Sequence, residues 1–355
     1  MRLLFYLGHP AHFHLFKNVI ATLSERGHKI DILIKKKDIL EDLLQRSGMK
    51  YHNILPEGRG DSRSGIAIGM LKRDWRLFKY CLNNRPDLMI GTSVEIGHVG
   101  TVLRIPSLNV NEDDASAVPL YAKLSYSWAT GIISPTVCNN GKWGKKSIKY
   151  EGYHELAYLH PDHFTPSVNI VKKYISAYKP YFLMRFSGLK AYHDLGVGGI
   201  DNQLALRIIN ILKPYGDIYI TSERELTGEL EQFRLNIDPL DIHHIIAFAS
   251  MFIGDSQTMS AEAGVLGVPF VRYNDFAGRL GYLDELENKY GLGYGISPGN
   301  EEALYSVVKS LVDMPGRKQE WQKRRFRMLE EKINVAEFLV KLIEGFPLKI
   351  KRDIR

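Results

Sequence analysis

The sequence predicts an α/β protein built from two doubly wound parallel sheets. Three observations carry that reading. Short apolar runs alternate with stretches of helical period from Arg2 to about residue 150. A stretch with Pro161, Pro166 and Pro180 interrupts the alternation between about His160 and Pro180, after which it starts again. Within the second series, Gly254-Asp255-Ser256-Gln257-Thr258-Met259-Ser260-Ala261-Glu262-Ala263-Gly264-Val265-Leu266-Gly267-Val268-Pro269 follows Met251-Phe252-Ile253 and precedes Phe270-Val271. That order reads strand, polar turn, helix, strand. Repeated βα units of this kind call for a parallel sheet.

The elements follow in order. Arg2–Leu7 reads as a buried strand. In His12–Arg26, Phe13, Phe16, Val19, Ile20 and Leu23 recur with helical period, and Gly27 stops the helix. Lys29–Ile34 is a second strand, Asp38–Arg46 a short helix and Tyr51–Leu55 a third strand. Pro56 to Gly65 is a glycine-rich polar loop, either a mobile substrate loop or an ordinary surface connection. Ile66–Asn83 is a helix carrying Lys72, Arg73, Arg76 and Lys79 beside Met70, Leu71, Trp75 and Phe78. It packs its apolar side on the sheet or lies on a membrane. Pro86–Ile90 and Ser107–Val110 are further strands, with a helix between them starting at the turn Gly91 to Glu95. Gly131–Ser134 and Ser147–Tyr150 complete the first series. The second series holds strands at Tyr181–Phe186, Asp217–Thr221, Met251–Ile253 and Pro269–Arg272. Its helices are Asn202–Leu212, Leu240–Ala249 and Ser256–Leu266, and Lys318 to Glu344 has helical spacing with few breakers.

The chain has 355 residues, 45% hydrophobic and 25% charged, which leaves room for two sizeable cores. Cys81 and Cys138 share no metal or redox spacing and point to a reducing compartment. No stretch approaches the ~18–20 apolar residues of a membrane span, and the apolar run at the N-terminus is too short for a signal peptide. A cytoplasmic location is therefore expected, with peripheral contact at the inner membrane face left open. Net charge is +7, which suits anionic partners. The charge is scattered, its denser places being Lys35-Lys36-Lys37, Lys145-Lys146, Lys323-Arg324-Arg325 and the tail from Lys349 to Arg355. No nucleic-acid-binding motif accompanies it, so nucleic acid is not an expected partner.

Several strand ends carry candidate chemistry. In open α/β sheets, ligands bind outside the carboxyl ends of the strands. Gly8-His9-Pro10-Ala11-His12-Phe13-His14 follows the first strand. Gly8 permits a tight turn, and His12 suits proton transfer from a hydroxyl. The same histidines also read as helix caps. No Asp or Cys stands at ligand spacing nearby, so no metal is expected. Glu112, Asp113 and Asp114 follow the fifth strand, and Glu95 lies four residues after Gly91. These carboxyl groups orient a sugar, act as acid and base, or merely cap helices. Arg185-Phe186-Ser187-Gly188 offers an arginine and small residues to a diphosphate. Ser222-Glu223-Arg224 stands at an equivalent strand end, and Asp238-Pro239-Leu240 precedes a helix. Ser256, Gln257 and Thr258 open a helix whose N-terminus favours phosphate, and Glu262 stands about two turns along it. An ordinary capped crossover helix has the same appearance.

These residues resemble the GT-B superfamily of two-domain proteins. That group includes the lipid-linked N-acetylglucosamine transferase of peptidoglycan synthesis and the UDP-N-acetylglucosamine 2-epimerases. Gly8 and His12 match the transferase's spacing from a loop glycine to a histidine. Asp255-Ser256, Glu262-Ala263, Leu266-Gly267 and Pro269 match the epimerases' nucleotide motif. The whole chain also resembles an uncharacterised prokaryotic domain family of that superfamily, through Gly8–His14, Gly152–Pro166 and Gly254–Pro269. There are departures. Gln257-Thr258 replaces the epimerases' Gly-Gly, Arg185-Phe186-Ser187-Gly188-Leu189 replaces their His-Arg-x-Glu-Asn, and His9-Pro10-Ala11 replaces the transferase's glycines.

The resemblance implies two Rossmann-like domains facing a cleft. Residues 1–165 would take the acceptor, 166–320 the nucleotide-sugar, and a helix at 321–345 would cross back. The implied activity is metal-independent transfer of a sugar from a nucleotide diphosphate, a UDP-sugar favoured, to a glycan or lipid-linked acceptor, with no cofactor. His12 or Glu112 would deprotonate the acceptor. Gly8, His9, Arg185, Ser187, Gly188, Asp255, Ser256, Gln257, Thr258 and Glu262 would hold the donor, with Glu262 on the ribose. One alternative is sugar-nucleotide epimerisation with Glu95, Glu112 and Asp113 moving protons. The other is a nucleotide- or glycan-binding protein without turnover.

Overall fold

The structure is a computed structural model that describes residues 1–57, 63–176, 179–188 and 198–346. Gly58 to Gly60 of the glycine-rich loop, Leu189 and the basic tail from Lys349 lie outside the described residues. The chain divides into two units, Met1–His163 with the segment from Ile333 onward, and Phe164–Lys332.

Unit 1 runs β1 (Arg2–Leu7), α1 (Pro10–Glu25), β2 (Lys29–Lys35), α2 (Leu40–Arg46), β3 (His52–Leu55), α3 (Arg63–Asn84) and β4 (Leu88–Gly91). It continues with α4 (Glu95–Leu103), β5 (Ser107–Val110), α5 (Pro119–Ser125), β6 (Gly131–Pro135) and β7 (Ser147–Tyr150). All seven strands are parallel, in the order β3-β2-β1-β4-β5-β6-β7. β1 reads as an unbroken apolar run because helices cover both faces of such a sheet. α1 begins with Pro10 at its first turn, where the missing N–H costs nothing. Its buried stripe is Phe13, Phe16, Val19, Ile20 and Leu23, and Gly27 ends it at φ 81°.

Unit 2 runs α6 (Val168–Val171), β8 (Tyr181–Phe186), α7 (Asn202–Leu212), β9 (Asp217–Ser222), α8 (Ile242–Phe248), β10 (Met251–Gly254), α9 (Gln257–Val265) and β11 (Phe270–Tyr273). It ends with α10 (Gly281–Asp284), β12 (Gly293–Ile296), α11 (Glu301–Asp313) and α12 (Arg317–Glu331). The strands are again parallel, in the order β12-β11-β10-β8-β9. α13 (Val335–Glu344) belongs to unit 1 and packs on α1, with Arg26 and His28 both bonded to Glu344.

Some elements differ from the sequence reading. The helical stretch from Lys318 to Glu344 is two helices, because Asn334 caps a new one by accepting from the Glu337 N–H at 3.2 Å. That is the first half of a capping box. The helix expected from Leu240 opens as a tight turn over Pro239–Asp241. α3 begins at Arg63, inside the expected loop. α5, β12 and α11 have no counterpart in the sequence reading.

In each sheet the strand order reverses beside the first strand, between β1 and β4 and between β8 and β10. At both places the later strand ends in a glycine pressed on the earlier one. A Cβ on Gly91 would stand 2.5 Å from the Tyr6 carbonyl oxygen. One on Gly254 would stand 2.7 Å from that of Arg185. Only glycine fits such an approach, and a serine follows two residues later in both, Ser93 and Ser256.

Candidate functional site

At the β1–β4 edge of unit 1 the turn after β1 organises three groups. His9 caps α1, its Nδ1 accepting from the Ala11 N–H at 3.2 Å. The Gly8 N–H donates to His12 Nδ1 at 3.1 Å. Lys35, at the end of β2, lies along Gly8: a Cβ there would stand 3.2 Å from Lys35 Cε. Burial, then His9, Lys35 and His154, hold the His12 imidazole well below its ordinary pKa. His14 is buried, its ring packed on Phe13 and Tyr158.

The segment after β7 adds His154. Its N–H donates to Glu112 Oε2 at 3.1 Å, and its Nδ1 lies 3.5 Å from Glu112 Oε1. Burial pushes the His154 ring down to about 3, so this is a neutral imidazole beside a carboxyl group and not an ion pair. Asp113 is pushed up to about 6, by burial first and the neighbouring Asp114 second. Asp114 is buried and accepts from the Asn139 N–H at 2.7 Å. Glu95 opens α4 and is only 4% exposed, ion-paired with Arg73 of α3, itself 6% exposed. Burial drives Glu95 upward, but the charges of Arg73 and Lys35 and the Arg73 hydrogen bond outweigh it and leave it below its ordinary value.

In unit 2 the β8–β10 edge is closed by carboxylates. The Ser187 N–H and Oγ both donate to Asp255 Oδ1, at 2.6 and 2.8 Å. The Gly188 N–H donates to Glu223 Oε2 at 3.0 Å, and Arg185 Nη2 donates to Glu223 Oε1. Burial raises Asp255 against the pull of the two Ser187 bonds. Its Oδ2 and Arg185 Nε are buried with no hydrogen-bond partner among the described residues. Asn274, after β11, donates from Nδ2 to the Asp255 carbonyl at 2.9 Å. Ser256 caps α9, and Gln257 and Thr258 stand partly exposed in a first turn that holds no acidic residue. Glu262 is 3% exposed, and its Oε1 meets His243 Nε2 of α8 at 3.0 Å.

The structure thus gathers Gly8, His9 and His12 in unit 1, with Glu112 joined to them through His154. It gathers Arg185, Ser187, Gly188 and Asp255 in unit 2. Glu95 is turned toward Arg73, and Glu262 toward His243. Lys35, Arg73, His154 and Asn274 enter the two edges without having been singled out as site residues. Lys35 was legible as the first lysine of a charged run closing a strand. Among the described residues, no group of three or more His, Cys, Asp or Glu side chains is set to hold a metal. No described helix is long and apolar enough to cross a membrane.

Two parallel-sheet units of this kind make up the GT-B fold, and solved structures of that architecture cover nearly the whole chain. Staphylococcus aureus MnaA in complex with UDP superposes with a TM-score of 0.69 at 15% identity, over 97% of this chain and 96% of that one. The Neisseria meningitidis UDP-GlcNAc 2-epimerase bound to UDP-GlcNAc gives 0.65 at 14%, over 97% and 100%. The spinosyn forosaminyltransferase SpnP gives 0.64 at 14%, over 97% and 98%. Identities this low carry the fold alone. No curated protein matches the chain in sequence. The chain belongs to the family described as "Protein of unknown function (DUF354)", which matches residues 3–292.

Proposed function

We propose that the chain is a nucleotide-sugar enzyme, and first a glycosyltransferase that needs no metal. The observation that carries the reading is the β8–β10 edge of unit 2. There Ser187 turns a backbone N–H and a hydroxyl to Asp255, which precedes α9, and Gly188 and Arg185 turn a backbone N–H and a guanidinium to Glu223, two neighbouring donor pairs each now held by a carboxylate. Such a set suits a diphosphate, whose oxygens accept several donors at once. In unit 1, Glu112 or Asp113 takes the proton from the acceptor hydroxyl. Asp113, titrating near 6, is poised for that at neutral pH. Epimerisation is the second reading. It is favoured by the likeness of Asp255-Ser256, Glu262-Ala263, Leu266-Gly267 and Pro269 to the epimerases' nucleotide motif.

The test is a thermal-shift screen against UDP, GDP, CMP, dTDP and their sugars, repeated with Arg185→Ala. A selective rise lost in the variant supports the donor site. No rise with any nucleotide removes it. Turnover in heavy water then separates the readings: deuterium at C2 of the sugar marks epimerisation, and transfer to an acceptor extract marks the transferase. Tight binding without product marks the third reading, a binding protein.

An acceptor at a membrane surface is favoured by α3. Ile68, Leu71, Trp75 and Leu82 are all well exposed on one face, Trp75 at 56%, while Leu77 and Cys81 bury the other. Phe78 stacks on Trp75, and Lys79 Nζ lies 4.9 Å over the indole. An apolar stripe edged by Lys72 and Lys79 suits an anionic lipid surface. Sedimentation with phosphatidylglycerol vesicles should capture the protein at low salt and release it at high salt. Failure to sediment, or equal capture by phosphatidylcholine, overturns this.

A further inference from the structure

The turn after β1 decides which nitrogen of His12 carries a proton. A backbone N–H only donates, so the Gly8 N–H at 3.1 Å makes Nδ1 the acceptor. A neutral imidazole has one acceptor nitrogen and one donor. With Nδ1 accepting, the proton is on Nε2, which makes no hydrogen bond to any described residue. The groups facing the ring are His9 on its own turn, Lys35 from the end of β2, and His154 from the segment after β7. Glu112 stands behind His154. The one permanent charge among the three is the Lys35 ammonium, which opposes a second positive charge on the ring.

We propose that His12 is a neutral hydrogen-bond donor, offering Nε2–H to an oxygen of the bound molecule that carries or develops negative charge, and not the base that takes a proton from a hydroxyl. A base needs a free lone pair. The lone pair of this ring lies on Nδ1 and is already held by Gly8. To work as a base, the ring would have to turn over and leave the Gly8 N–H without its partner. Lys35 acts in the same direction, since an ammonium along Gly8 favours a negative oxygen there. A neutral histidine used as an electrophile is a known solution in enzymes that polarise an oxygen. The role of base then falls to the carboxyl groups after β5. The inference rests on the enzymatic reading above for what is bound, but the tautomer does not depend on it.

The test uses the full chain labelled with ¹⁵N. Long-range ¹H–¹⁵N correlation of the histidine rings, with His12 assigned by its loss in His12→Gln, reads tautomer and titration together. The expected result is an Nε2–H ring that does not titrate between about pH 5 and 8, where an ordinary histidine does. An Nδ1–H ring, or a midpoint near 6.5, overturns the proposal. Turnover of His12→Gln and His12→Ala gives a second readout, with thermal unfolding to establish that both fold. The glutamine amide keeps an N–H donor on a side chain of similar reach, so His12→Gln should stay within roughly tenfold of wild type. His12→Ala should lose on the order of 100-fold or more, as when one donor to a developing oxyanion is removed. Equal losses overturn the donor role. If the wild-type chain turns over no sugar nucleotide, the enzymatic reading falls while the spectrum still decides between donor and base.

Discussion

Glu95 stands on the sequence as an acid–base candidate and in the structure as half of a buried ion pair, and the two roles respond differently to one substitution. Both partners are almost wholly removed from water, Glu95 at 4% and Arg73 at 6% exposure. An exposed pair would contribute no more than about 1 kcal/mol. Here Glu95→Ala leaves the Arg73 charge buried and uncompensated, which costs about 3–5 kcal/mol. Arg73 Nη1 is already buried without a hydrogen bond among the described residues, and Asp74, the other carboxylate acting on Arg73, is held by His98. In a folding unit of 150–250 residues, each kcal/mol moves Tm by roughly 2–4 °C. The melting transition should therefore fall by about 6–20 °C. Arg73→Met with Glu95→Leu should recover most of that loss, because apolar side chains of similar volume replace a buried pair at little net cost.

The same pair fixes the sign of a pH dependence. Burial pushes Glu95 up, but Arg73 and Lys35 pull it further down, so its folded pKa lies below the unfolded value near 4.5. Stability from a depressed carboxyl group is fully present above the unfolded value and is lost as pH falls through the folded one. The gap in Tm between wild type and Glu95→Ala should hold at pH 7 and narrow only as pH falls below the unfolded value near 4.5. Circular dichroism melts at several pH values measure it. A loss under about 2 °C at pH 7 would falsify the buried-pair account. So would Glu95→Gln that melts like wild type yet has no turnover, which marks proton transfer as the role of Glu95.

Three further outcomes are expected. Asp113, with its folded pKa raised from 3.8 to about 6, holds its proton more tightly in the folded state, so it withdraws stability as pH rises from about 4 through 6. Asp113→Asn should melt above wild type at pH 8 and lose that advantage at pH 3.5 by scanning calorimetry. It should also remove any acidic limb near pH 6 from kcat/KM. Glu223→Ala frees Arg185 and the Gly188 N–H, and should tighten UDP binding by roughly tenfold, or 1.4 kcal/mol, in titration calorimetry. Unchanged or weaker binding would mean that the carboxylate does not compete with the ligand. Gly254→Ala sets a Cβ 2.7 Å from the Arg185 carbonyl oxygen, which is backbone and cannot swing away, so a loss of more than about 1 kcal/mol is expected on urea unfolding.

What was legible in the sequence, and what was not, has a physical pattern. β1 after Arg2 and β10 are continuous apolar runs, and β8 is broken only by Arg185, because both faces of a parallel sheet are covered, and such runs announce themselves. β12 does not. Its Gly293 and Gly295 are dictated by neighbours, since a Cβ would stand 2.4 Å from the Phe270 ring at one and 2.6 Å from Glu287 at the other. A strand whose composition is set by what packs against it looks like a turn on its own. The break before α13 was readable, because Asn334 and Glu337 have capping-box spacing inside a stretch that otherwise continues as helix.

The strand-end residues were readable for a different reason. A parallel sheet puts every strand's carboxyl end on one edge, so Gly8, Glu112, Ser187 and Asp255 follow from strand boundaries alone. Their partners follow from sheet order and from how loops return, which no local pattern encodes. His154 is 142 positions from His12 and reaches it because the segment after β7 folds back on α1, where Asn18 Nδ2 donates to the Ala157 carbonyl at 2.9 Å. Glu262 reaches His243 by helix packing within unit 2.

The two switch points share a backbone device and carry opposite loads. Each ends a strand in a glycine against a carbonyl and sets a serine two residues on. In unit 1 the edge carries Lys35 and the His12 Nε2–H, with the start of α1 capped by His9 and Glu95 drawn aside to Arg73. In unit 2 the donors are present but already hold Asp255 and Glu223. At the second edge an entering oxyanion must exchange with a carboxylate. Asp255 is the poorer leaving partner, because it is buried and takes both the amide and the hydroxyl of Ser187. Glu223 is the better one, because it is exposed enough to turn into water. A diphosphate entering unit 2 should therefore take Arg185 and the Gly188 N–H from Glu223 and leave the Asp255–Ser187 contact in place. For that reason the Glu223→Ala titration probes the donor site more directly than a change at Asp255.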